Sequence, residues 1–149
     1  MKQKAPSLLL LYLREKVPYL EGLTVTGLFG LNDGWECEVY SFALGFMDKG
    51  LAQSRPMILR LYTGKDIPAM GLKAVQEFDT LRQLACDGYP VPQVYLLETE
   101  PTHLGSPFII MEKLEGERLD CLYHRSTTEK RYELLREMCN LLVRLHRLN

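Results

Sequence analysis

The run Glu36-Cys-Glu-Val-Tyr-Ser-Phe-Ala-Leu-Gly-Phe-Met47 alternates: Cys37, Val39, Ser41 and Ala43 share one face, and Glu38, Tyr40, Phe42 and Leu44 the other. A period of two over this length predicts a strand. Two further strand-like runs flank it, Leu23 to Gly30 and Pro56 to Tyr62, across the turn-rich stretches Asn32-Asp33-Gly34 and Asp48-Lys49-Gly50. Three runs joined by such short turns predict an antiparallel meander.

Toward the C-terminus, Met70, Ala74, Phe78, Leu81 and Ala85 recur at helical spacing and Gly88 supplies a stop, so a helix over Met70 to Cys86 is expected to dock on the meander. Beyond Pro90-Val91-Pro92 come two more strand candidates, Gln93 to Glu98 and Phe108 to Glu112. The expected class is α+β: a five-stranded antiparallel sheet with one helix inserted after the third strand. On the N-terminal side, Pro6 and Ser7 open an amphipathic segment that runs through Val17 and ends at Pro18. After Gly116 the character changes. Ser126 and Glu129 have capping-box spacing, and Tyr132, Leu135, Met138, Leu142 and Leu145 then mark one face of a long helix. That apolar stripe calls for a partner surface, and self-association through it is one expectation. The expected divisions are an N-terminal helix over 1–22, a sheet-bearing lobe over 23–114, and a hinge with further helices over 115–149.

The chain has 149 residues, 46% hydrophobic and 25% charged, the composition of a globular protein able to bury a core. Eighteen basic and nineteen acidic residues give a net charge of -1. No broad cationic field is available for nucleic acid or an anionic membrane, and neither is an expected partner. Cys37, Cys86, Cys121 and Cys139 lie far apart without a CxxC pair or zinc spacing, which fits a reducing cytoplasm. The apolar run Leu8 to Leu13 passes straight into Arg14, Glu15 and Lys16, and so reads as a helix rather than a secretion signal.

Three places can carry chemistry. In the turn Gly30-Leu-Asn-Asp-Gly-Trp35, glycine permits close approach of backbone amides to a phosphate, though Asn-Asp-Gly also serves any plain hairpin. Arg60 shares a strand face with Ile58 and Tyr62, while Met57, Leu59 and Leu61 take the opposite, uniformly apolar face. A cation in such a strand calls for an anion, and Glu77 projects between Met70, Leu81 and Leu84 inside the apolar sector of its helix. An ordinary strand-to-helix ion pair and a pair that positions a phosphate-binding cation both satisfy this pattern. The third place is Phe108-Ile-Ile-Met-Glu-Lys-Leu-Glu-Gly116, an apolar strand that turns polar and leaves through glycine, a pattern that a hinge between lobes and a plain buried strand followed by a loop satisfy equally. His146 reads as a helix-packing or capping histidine, and His103 and His124 are isolated.

The order of these elements is more specific than any one of them. Ile-Leu-Arg60, Glu77-Phe78, Gly88-Tyr-Pro-Val-Pro92, Gly105-Ser-Pro-Phe-Ile-Ile-Met-Glu112 and the closing Leu-Leu-Val-Arg-Leu-His146 together resemble the aminoglycoside phosphotransferase and choline kinase family. The resemblance covers about residues 23 to 149 and implies a kinase-like N-terminal lobe. It further implies that Gly30 to Trp35, with Asn32, Asp33, Gly34 and Trp35 at its centre, covers the nucleotide phosphates. Val39 and Ile58 would line the adenine, with Met111 at the back of its pocket. The Glu112 carbonyl would accept from the adenine amino group and the Leu114 amide would donate to the ring. Arg60 stands where the family places a cation for the α- and β-phosphates, often a lysine, and Glu77 stands where it places the helix carboxylate.

The family's His-Gly-Asp loop, its following Asn and its later metal-binding Asp find no counterpart up to Asn149. The resemblance therefore implies the nucleotide-binding part of an ATP-dependent small-molecule phosphotransferase, inactive by itself. Magnesium ligands and contacts to the hydroxyl acceptor are expected outside this chain. The competing expectation is a noncatalytic kinase-like binding or interaction module.

Overall fold

The computed structural model describes residues 5–31 and 37–148. In chain order the elements are α1 (Ala5–Lys16), β1 (Glu21–Leu31), β2 (Cys37–Asp48), β3 (Leu51–Tyr62), α2 (Ile67–Cys86), β4 (Val94–Glu98), β5 (Phe108–Glu112), α3 (Leu119–Arg125) and α4 (Thr128–Leu145). The strands form one antiparallel sheet in the order β1-β2-β3-β5-β4, so the inserted helix returns the chain to the far edge before β5 fills the gap beside β3. This is the expected α+β class with a five-stranded antiparallel sheet, as in a kinase-like N-terminal lobe.

The β2–β3 hairpin is longer than the sequence pattern predicts. Asp48 pairs with Leu51, and Lys49 and Gly50 between them both take positive φ, 49° and 79°. Two consecutive left-handed residues make the tight turn whose twist matches the strands it joins, and glycine takes the second position without steric cost. β3 therefore begins at Leu51 and not at Pro56. Residues 51–56 are exposed on both faces and carry no apolar alternation by which the extension could be read.

Each face of the sheet is covered by a helix. On one side Leu9, Tyr12, Leu13 and Val17 of α1 pack with Phe42, Leu44, Phe46, Met57, Leu59, Leu61, Phe108 and Ile110. On the other, Ala74, Met70, Phe78 and Leu81 of α2 pack with Ile58, Tyr62, Ile109, Met111 and Leu97. The expected docking of this helix on the meander holds at β3, and the contact extends onto the two later strands. α2 lies across β3, β5 and β4, the half of the sheet away from β1. Its first turn is set by Asp66, whose carboxylate accepts from the Ala69 amide at 3.0 Å, with Pro68 just inside. Gly71 lets the helix approach closely: a Cβ there would stand 3.3 Å from the Thr99 carbonyl oxygen.

The cap of α4 also differs from the sequence pattern. Thr127 is the N-cap, its hydroxyl accepting from the Lys130 amide, while Ser126 closes α3 and donates to the Leu122 carbonyl at 2.6 Å. His146 is the C-cap of α4, as its position near the helix end predicts. α4 touches the lobe through the Gly88–Tyr89 turn. The Tyr89 hydroxyl donates to the Leu141 carbonyl at 3.2 Å, and Arg144 donates to the Gly88 carbonyl at 3.0 Å. Tyr132, Leu135, Met138, Leu142 and Leu145 are all exposed. No helix among the described residues is long and apolar enough to cross a membrane.

Candidate functional site

The pairing register assembles the candidate site on the face that α2 covers. Val39 lies opposite Arg60, Ser41 opposite Ile58, and Ile58 in turn opposite Met111. Directly opposed residues of antiparallel strands share a face, so Val39, Ile58, Arg60 and Met111 all project to the α2 side of the sheet. Glu112 is the last residue of β5: its amide donates to the Gln93 carbonyl at 2.8 Å and its carboxylate accepts from the Gln93 amide at 3.1 Å. The next amide, Lys113, donates to the Pro56 carbonyl at 3.3 Å, and Leu114 beyond it is exposed. Asn32, Asp33, Gly34 and Trp35 lie outside the described residues.

Glu77 reaches this face because it stands three residues after the fully buried Ala74 and four before Leu81, on the stripe of α2 that meets the sheet. Its Oε1 lies 3.2 Å from Arg60 Nη1. Its Oε2 accepts a 2.7 Å hydrogen bond from the Tyr62 hydroxyl. The Arg60 guanidinium also stands 5.8 Å from the centre of the Tyr62 ring. Three side chains, two from β3 and one from α2, thus form a closed set of contacts. The sequence pattern pairs Arg60 with Glu77 but gives Tyr62 no role, although its position two residues after Arg60 places it on the same face. Only the hydroxyl distance reveals the connection.

Electrostatics hold Arg60 and Tyr62 of this set in their protonated forms. Burial works against the Arg60 charge, but a hydrogen bond to Cys37 and the charge of Glu77 outweigh it, and the guanidinium stays protonated still more firmly than usual. Burial, and then the hydrogen bond to Glu77, push the Tyr62 hydroxyl well above the ordinary tyrosine range, so it remains a donor. An open cleft of about 360 Å³ adjoins the pair, lined by Cys37, Arg60, Tyr62, Gln76, Glu77 and Thr80 among others. Arg60 Nε is buried there without a hydrogen-bond partner among the described residues. The rest of the guanidinium is partly exposed at this cleft, and a cation so placed fits an anionic ligand.

A family model described as the phosphotransferase enzyme family matches residues 41–149. The chain belongs to the phosphotransferase enzyme family. The matched segment holds Arg60, Tyr62, Glu77, Met111 and Glu112, and so includes the ion pair and the far wall of the sheet face. No curated protein matches the chain. Membership makes a guanidinium at this cleft chemically apt, because phosphotransferases handle phosphate oxygens. Among the described residues no group of three or more His, Cys, Asp or Glu side chains is gathered for a metal ion.

Proposed function

We propose that the chain forms the nucleotide-binding part of an ATP-dependent phosphotransferase acting on a hydroxyl of a small molecule. The observation that carries this reading is Arg60, held by Glu77 and partly exposed at the edge of an open cleft. A guanidinium can fork onto two phosphate oxygens, which a lysine ammonium cannot, and so it replaces the family's usual lysine with a different contact geometry. Val39, Ile58 and Met111, sharing a sheet face with Arg60, supply the apolar cover for adenine. The Glu112 carbonyl and Leu114 amide follow directly at the end of β5, where they would meet the polar edge of the base. Residues 32–35 would cover the phosphates. The chain's part in the reaction is to hold and orient the nucleotide, and the bound magnesium would add charge neutralisation at the phosphates. Four free cysteines suit a reducing compartment, and the proposed location is the cytoplasm.

The test is an NMR titration of the labelled chain with ATP, alongside Arg60→Ala. Loss of a charge-assisted phosphate contact should weaken ATP binding about tenfold or more. A native chain that shows no saturable shifts with ATP, or an Arg60→Ala chain that binds as tightly as the native one, would refute the reading.

A further inference from the structure

We infer that Tyr62 is a positioning residue that fixes Glu77, and through it Arg60, for phosphate binding. This rests on the reading of Arg60 as the phosphate-holding cation. The ion pair alone is a weak device: its side chains are 37% and 29% exposed, and pairs of that kind hold two long, flexible side chains poorly. Tyr62 differs from both. It is only 2% exposed, its ring is packed against α2 in the core, and its amide donates to the Pro107 carbonyl at 2.9 Å. A phenol has two rotatable bonds where glutamate has three and arginine four, so its hydroxyl is presented from a nearly fixed base.

The division of the carboxylate makes the role specific. Tyr62 donates to Oε2, and Arg60 meets Oε1 through Nη1, its nearest nitrogen. With Oε2 held by Tyr62, Glu77 cannot turn freely, and Oε1 stays directed at Arg60 Nη1, which keeps the guanidinium at the cleft. Phenylalanine would fill the same core volume. The hydroxyl therefore serves Glu77, not the packing.

The experiment compares native, Tyr62→Phe, Glu77→Gln and doubly substituted chains by NMR titration with ATP and, separately, with adenosine, which has no phosphate. If Tyr62 positions Arg60, Tyr62→Phe weakens ATP binding about three- to tenfold while adenosine affinity stays within about twofold. Glu77→Gln gives the same split, and Tyr62→Phe added to Glu77→Gln weakens ATP binding no further, because both act through one carboxylate. Three outcomes overturn the inference. One is unchanged ATP affinity in Tyr62→Phe; another is an equal loss of ATP and adenosine, which marks a purely structural residue; the third is full additivity in the double variant. The nucleotide reading fails separately, and takes the inference with it, if the native chain does not bind ATP or binds it independently of Arg60.

Discussion

Against α1 the sheet presents Phe42, Leu44, Phe46, Met57, Leu59, Leu61, Phe108 and Ile110, with no charged side chain among them. Against α2 it presents Ile58, Tyr62, Ile109 and Met111, and between these apolar residues stand Arg60 and its partner Glu77. The same five strands thus carry an apolar seal on one side and a polar, half-open cleft on the other. Alternation along β3 creates the difference: odd positions 57, 59 and 61 face α1, and even positions 58, 60 and 62 face α2. One side can be optimised for burial because the other keeps the charge. Substitutions on the α1 side should therefore act on stability, and those on the α2 side on ligand binding.

The largest expected effect is on the sealed side. Phe108 is fully buried and touches the Tyr12 ring edge-on, with centroids 4.8 Å apart. Phe108→Ala removes its transfer free energy and leaves a cavity beneath α1, a loss of about 3–5 kcal/mol in urea unfolding. A loss below about 1 kcal/mol would mean that α1 does not seal this face in solution.

A smaller effect comes from two tyrosines, one on each side. Burial and then the charge of Glu98 raise the Tyr12 hydroxyl above the ordinary range, and burial and then the bond to Glu77 raise that of Tyr62. Both ionise later in the folded chain than in the unfolded one. Below the ordinary tyrosine value of 10.0 both are neutral in either state and add no pH dependence. Above it the unfolded chain binds fewer protons, so stability falls as pH rises, by up to about 1.4 kcal/mol per pH unit for each group. Urea unfolding between about pH 8 and 11 measures this. The Tyr12→Phe/Tyr62→Phe chain should lose less stability over the same range, and an equal loss would assign the alkaline effect to other groups.

How far the sequence discloses each side follows from the kind of contact involved. Strand faces were legible because alternation in Glu36 to Met47 and around Arg60 survives in the register of β2 and β3. The Arg60–Glu77 pair was legible because a charge in an apolar stripe demands a partner. What α1 covers was not, since the segment announces only that one side of it is apolar. How far α2 reaches beyond β3 was not legible for a similar reason: Gly71 and Ala74 mark a close approach but do not name the strands approached. His103, isolated in sequence, stacks edge-on against Tyr12 at 4.8 Å and lies 3.9 Å from Glu98, contacts made only by the loop between β4 and β5. The cap of α4 moved from Ser126 to Thr127 because two neighbouring hydroxyls both suit a helix start, and the end of α3 takes the first.

The smallest effect is the most discriminating, because it applies one substitution to both sides. The Tyr12 hydroxyl is buried without a hydrogen-bond partner among the described residues, whereas the Tyr62 hydroxyl is bonded to Glu77. Tyr12→Phe deletes a donor that is desolvated for no return, and should leave stability unchanged or raise it by up to about 1 kcal/mol. Tyr62→Phe deletes a donor to a carboxylate and should cost about 1 kcal/mol, since it also leaves Glu77 Oε2 without its partner inside the α2 face. Volume and burial are alike at the two positions, so packing cancels in the comparison and only the fate of the hydroxyl remains. Paired urea unfolding curves give the sign of the difference directly. If Tyr12→Phe proved the more damaging, the α1 side would hold a hydrogen bond and could no longer be treated as a purely apolar seal.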